Sequence, residues 1–155
     1  MLVNLNRDAR AQFAPSIAAI YTIADGGRSS LWRVRPYVTV RARTNLSWEL
    51  GTRYQRNRDN TQPYSNYGVI GSDTTHYVFA HLDQDLLSFT ARVNYTMTPA
   101  LSLQLYAEPF VTTGKYFSPR DLANPRAAAY DDRFRPVTRA LSGFNEKEFH
   151  SSAVL

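Results

Sequence analysis

From residue 87 to residue 97 the side chains alternate without a break. Leu87, Phe89, Ala91, Val93, Tyr95 and Met97 take one face, and Ser88, Thr90, Arg92, Asn94 and Thr96 take the other. After a corner the pattern resumes, with Leu101, Leu103, Leu105, Ala107 and Val111 opposed to Ser102, Gln104, Tyr106, Glu108 and Thr112. A sustained period of two predicts β-strands. Eleven residues at about 3.4 Å each, tilted by about 45°, rise roughly 25 Å, the height of the apolar band on an outer-membrane barrel. The same alternation marks residues 16–24, 31–43, 46–55 and 76–97, and begins again, incompletely, at Phe144.

The connections are of two kinds. Tight corners stand at Thr44-Asn45 and Thr98-Pro99-Ala100, whereas residues 25–30, 56–75 and 114–142 are polar and rich in turn formers. If residues 76–97 form one strand, the tight turns share one end and the long loops the other, as in outer-membrane barrels. A hairpin at Asp83-Gln84-Asp85 would invert the later half. The expected architecture is all-β, an antiparallel up-and-down transmembrane β-barrel. It is read as a single segment over residues 1–155, a fragment of about six to seven strands with long external loops at 56–75 and 114–142.

Composition separates this reading from others. No apolar run approaches the roughly 18 residues of a spanning helix, but barrel strands escape that scan because half their residues are polar. The absence of cysteine leaves no disulfide framework and no thiolate chemistry. Tyr, Phe and Trp make up 13% of the chain, which suits aromatic girdles at a membrane boundary.

The 18 basic residues include only two lysines, Lys115 and Lys147, both outside the clear strands; solvated strand faces commonly use Lys. The polar face mixes small residues with Arg33, Arg35, Arg41, Glu49, Arg53, Arg92 and Glu108, which would line or brace a lumen. Leu87, Phe89, Val93, Tyr95, Leu103 and Leu105 would face lipid. A soluble β-barrel or sandwich binding a small apolar ligand is the competing reading, and it turns Leu87, Phe89, Val93, Leu103 and Leu105 inward.

Chemistry beyond this is sparse. His76, His81 and His150 have no metal-like spacing and read as solvated loop or rim residues. Glu49 and Glu108 could share a lumen as a carboxylate pair, but the arginines on the same faces make them neutralising partners. Asp83 and Asp85, at alternate positions, could at most hold a rim cation, and Asp73 stands alone. Asp131 and Asp132 beside Arg126, Arg133 and Arg135 read as a solvated, internally paired loop. Pro36 and Pro109 lie within strands on the apolar face, where each forfeits a ladder bond and marks a bulge or a strand end. The net charge of +5 raises nucleic-acid binding, but the arginines are dispersed and no recognition motif is present; a basic lumen admitting anionic solutes uses the same residues. The expectation is a non-catalytic protein without cofactor or metal.

Residues 46–51 (LSWELG), 54–62 (YQRNRDNTQ), 76–84 (HYVFAHLDQ), 89–99 (FTARVNYTMTP), 101–110 (LSLQLYAEPF) and 130–134 (YDDRF) together carry a resemblance that covers most of residues 14–155. They resemble the carboxy-terminal barrel region of a bacterial family of unknown function. Its full-length members are large exported proteins in which a carbohydrate-binding family-nine-like β-sandwich precedes an outer-membrane barrel. The resemblance implies an outer-membrane location, lipid as partner and a link to glycan or polymer handling, with no catalytic residues to carry over. The sugar-binding module, a signal peptide and closing strands ending in an aromatic residue are not found in these residues. A fragment is therefore expected, and remaining strands or other protomers would be needed for closure.

Overall fold

The computed structural model describes residues 1–6, 8, 11–68 and 75–155. Eight strands follow in order: β1 (Leu2–Asn6), β2 (Phe13–Ala24), β3 (Ser29–Arg43), β4 (Leu46–Gly68), β5 (Thr75–Thr98), β6 (Leu101–Leu122), β7 (Phe134–Pro136) and β8 (Phe144–Val154). All pair antiparallel with their sequence neighbours from β1 to β6. β6 then pairs with short β7 at its end and with β8 along its middle. The sheet is not closed: among the described residues β1 pairs only with β2, and β8 only with β6.

The up-and-down order expected from the alternation holds, and β5 is one continuous strand through Asp83, Gln84 and Asp85. Among the described residues, the turns at 44–45 and 99–100 lie at one end, and the connections at 25–28 and 123–143 lie at the other. At the turn end Asn45 ties the corner to β5: its Nδ2 donates to the Thr96 carbonyl at 3.0 Å, and its carbonyl accepts from the Thr96 amide at 2.9 Å. At the loop end Asp25, Gly26 and Gly27 take φ of 52°, 65° and 96°, left-handed values that glycine adopts without steric cost.

Two expected loops are strand in part. β4 continues through 56–68, and β6 continues through 114–122; residues 69–74, Asp73 among them, lie outside the described residues. Arg56, Asn57, Arg58 and Asp59 have low strand propensity, but Arg56 lies opposite Asp85 and Arg58 opposite Asp83. Cross-strand charge pairs of this kind offset weak propensity, and single-strand periodicity cannot register them. Two further segments carried too little alternation to read: five-residue β1 and three-residue β7. Both lysines also lie on strands, Lys115 on β6 and Lys147 on β8. The prolines mark no bulge. At Pro36 and Pro109 the β3–β4 and β5–β6 ladders skip two pairs while keeping register, as a missing donor without an inserted residue would produce.

One face carries a contiguous apolar surface. Its residues include Phe13, Ile17, Trp48, Leu50, Leu87, Phe89, Tyr95, Leu105 and Phe149, all exposed. By contrast, the buried apolar side chains among the described residues are Ala14, Val78, Ala80 and Leu82. The upper border of this surface is set by the last apolar residue on each strand before a run of polar positions: Ile23, Trp32, Tyr54, Leu87, Val111 and Phe149 on β2, β3, β4, β5, β6 and β8; beyond that run the same face turns apolar again at Phe79 and Tyr77 of β5 and Phe117 of β6. Register relates these positions. Ile23 is level with Ser30 and Arg58, four residues beyond Tyr54. Tyr54, Leu87 and Val111 are level with one another, and Phe149 is level with Pro109, two residues short of Val111. The border thus slides six residues, about 20 Å, over five strand spacings, about 24 Å, an inclination of about 40° to the strand-to-strand direction. The lower border slides the same way: Phe13 is level with Val40, Trp48 and Val93, and on β5 the surface continues four residues further, to Met97.

Candidate functional site

The opposite face is polar, and the middle of it forms a recess of about 510 Å³ to which β1 through β6 all contribute. Alternation selects the lining. Arg35 and Tyr37 of β3, Glu49, Gly51 and Arg53 of β4, Ser88, Thr90 and Arg92 of β5, and Tyr106 and Glu108 of β6 share one parity. Two carboxylates organise it. Glu49 accepts a hydrogen bond from the Tyr37 hydroxyl at 2.6 Å and pairs with Arg92 at 3.6 Å. Glu108 accepts from the Tyr106 hydroxyl and pairs with Arg53 at 3.5 Å. The Arg92 guanidinium also stands 5.6 Å from the Tyr106 ring centroid, which links the two clusters.

Gly51 makes this arrangement possible. A Cβ there would lie 2.6 Å from the Tyr37 ring, so the ring rests on bare backbone, an aromatic–glycine pairing that braces curved sheets. Three guanidinium groups, Arg35, Arg53 and Arg92, face two carboxylates around the recess, a surplus of one positive charge. Arg35 has no ion-pair partner among the described residues, and the buried Nε of Arg53 has no hydrogen-bond partner there. Such a cavity offers cationic donors to an anionic or hydroxyl-rich solute. Both carboxylates are already engaged as acceptors, and no group of three metal-ligating side chains occurs among the described residues.

Of the seven residues expected on the polar face, the recess gathers Arg35, Glu49, Arg53, Arg92 and Glu108. Arg33 lies at the same parity nearer the loop end, its Nε donating to Gln55 at 2.7 Å. Arg41 borders a second recess at the turn end, donating to the Ala11 carbonyl at 3.1 Å. The six residues expected on the apolar face share the other parity. Tyr37, Gly51 and Ser88 were not singled out as site residues. Periodicity gives their face, but not that the Tyr37 ring stands directly opposite Gly51 on the neighbouring strand.

The histidines differ from expectation. His76 stacks on Tyr67 at 4.9 Å and bonds Asp121 at 2.7 Å; His81 packs 4.3 Å from Phe117 and is mostly buried. Only His150 stays exposed, beside Glu148. Desolvation, with Asp121 adding to it, raises the neighbouring Tyr67 phenol above its ordinary range. The 123–143 connection is also not self-contained. Asp131 pairs with Arg28 of the β2–β3 turn at 3.5 Å, and Tyr130 lies under Arg28 at 4.4 Å while its hydroxyl accepts from Asn60 at 2.8 Å. Asp83 and Asp85, weighed above as a cation site, pair with Arg58 and Arg56 at 3.8 and 4.0 Å.

The class these features define is an all-β, antiparallel, up-and-down sheet with one exposed apolar face and one polar, ion-paired face. No protein-family model matches the chain, and no curated protein or solved structure is significantly similar to it.

Proposed function

We propose that this chain is a segment of a bacterial outer-membrane β-barrel, non-catalytic, whose apolar face meets lipid and whose polar face lines the interior. The inclination of the apolar borders carries the reading. A flat slab cutting strands tilted by θ leaves a border inclined by θ to the strand-to-strand direction, and about 40° lies within the 35–45° tilt of such barrels. From Leu87 to Met97, ten residue steps along β5, the band then stands about 26 Å tall. This matches the apolar belt of an outer-membrane barrel. Trp32 and Tyr54 at the upper border, and Trp48 and Tyr95 near the lower, suit interfacial girdles. A soluble sandwich would bury these side chains.

The resemblance to the barrel region of the exported family supports the same location, and it adds a link to glycan or polymer handling. The surplus positive charge of the recess favours an anionic solute over a neutral one. The test compares circular dichroism and gel mobility of the full chain in plain buffer and in detergent micelles. Strand signal and a heat-sensitive mobility shift only in detergent are expected. A folded, monodisperse monomer in buffer would overturn the reading in favour of a soluble apolar-ligand binder.

A further inference from the structure

The charged positions on the apolar face are not scattered. Directly beyond the upper border that face carries Arg56 on β4, Asp85 on β5, Thr113 on β6 and Lys147 on β8, followed two residues on by Arg58, Asp83, Lys115 and Asn145. Four cations thus stand against two carboxylates, and the carboxylates are already committed, Asp85 to Arg56 and Asp83 to Arg58. Lys115 and Lys147 are exposed and have no ion-pair partner among the described residues. The turn end differs: its outermost pairs on this face include Leu46 with Tyr95 and Tyr95 with Leu103, with Arg43 beside Leu46.

We infer that the outer strip of Lys115 and Lys147, flanked by Arg56 and Arg58, docks the phosphate groups of a phosphorylated membrane lipid at the loop end of the sheet. This rests on the barrel reading, since it needs the apolar border to be a lipid border. Long basic side chains at such a border extend their stems over the apolar surface and hold the charge at headgroup level. That is where lipid phosphates lie, and a phosphate presents the acceptors that an unpaired ammonium needs. Acyl chains of the same lipid would cover Leu87, Val111 and Phe149 below. Arg56 and Arg58, held by the aspartates, fix the strip's potential, while the lysines are free to bind.

The test uses the full chain refolded in a neutral detergent, with diphosphoryl lipid A as probe and loss of the strand signal on heating as readout. Bound lipid should raise the melting temperature by about 5 °C or more when well above its dissociation constant. The dephosphorylated lipid, and glucosamine phosphate without acyl chains, should leave it unchanged. The shift is measured against each variant's own melting in detergent alone. K115Q/K147Q should lose most of it and K115R/K147R should keep it. An equal shift in K115Q/K147Q, an equal shift with glucosamine phosphate, or no shift in a chain folded in detergent overturns the docking site. A chain that forms strand in buffer and gains nothing from detergent overturns the barrel reading itself.

Discussion

Ala91 is the most exacting place to test the lipid-facing assignment. It lies on the apolar face of β5, level with Leu50 and Ala107, four residues below Leu87 and six above Met97. At about 3.4 Å per residue and about 40° of tilt, it stands roughly 10 Å below the upper border of a band about 26 Å tall. Ala91→Arg removes almost no packing, so its cost is that of placing a guanidinium in hydrocarbon: about 2–4 kcal/mol near the midplane. That is roughly a 30- to 900-fold loss in the folded-to-unfolded ratio. Leu87→Arg, at the border and two residues from Asp85, should cost only about 0–1 kcal/mol. Urea titration in phosphatidylcholine vesicles, followed by Trp32 and Trp48 emission, measures both. A cost within about 0.5 kcal/mol of wild type for Ala91→Arg, the range of an ordinary surface change, would refute the argument. So would equal costs at the two positions, since a soluble core has no depth profile.

Three further outcomes follow from local geometry. A Cβ at Gly143 would meet the Gly114 carbonyl oxygen at 2.4 Å, whereas one at Gly114 would meet the Phe144 ring at 2.2 Å; backbone cannot swing aside as a ring can. G143A should therefore cost about 1–3 kcal/mol and G114A less, in the same urea titration; the reverse order would contradict the β6–β8 packing. Glu108→Gln weakens the pairing with Arg53 and the acceptor for Tyr106, and should cost about 1–2 kcal/mol. Arg35→Gln, exposed and without an ion-pair partner, should cost under about 0.5 kcal/mol, and comparable losses would contradict the division between braced and free arginines. Tyr130→Ala removes the Asn60 hydrogen bond and the ring beneath Arg28, so trypsin should cut faster at Arg126 and Arg133 while the strand signal is retained; unchanged cleavage would show the latch to be ornamental.

What the chain made legible was set by periodicity. The alternation at residues 87–97 and 101–112 placed β5, β6 and both their faces, and five of the seven expected inner residues meet in one recess. Where alternation fails, sequence reading fails with it. Residues 56–68 look like a loop because Arg, Asn and Asp are poor strand formers, and only the register that sets Arg56 against Asp85 and Arg58 against Asp83 explains why they extend. The pairing of Asp131 with Arg28 spans more than one hundred residues, so neighbouring arginines in the loop were the natural but wrong partners to choose. The histidines went the same way: His81, between Ala80 and Leu82, gives no sign that Phe117 on the neighbouring strand will cover it.

Closure is constrained by direction. β4 ascends from the turn end; alternate strands reverse, so β3, β5, β8 and β1 all descend. The two free edges, β1 and β8, therefore run the same way. Joining them directly, or joining β8 of one copy to β1 of the next around a common axis, would make a parallel pair, which even-stranded antiparallel barrels do not contain. Antiparallel closure needs an odd number of added strands, beginning and ending with an ascending one. Because the chain holds no cysteine, an Asn4→Cys/Ser152→Cys variant reports on this cleanly. In detergent it should give neither an internal disulfide nor a ladder of linked copies. Efficient linkage of either kind would mean that β1 and β8 meet side by side, and the parity argument would fall.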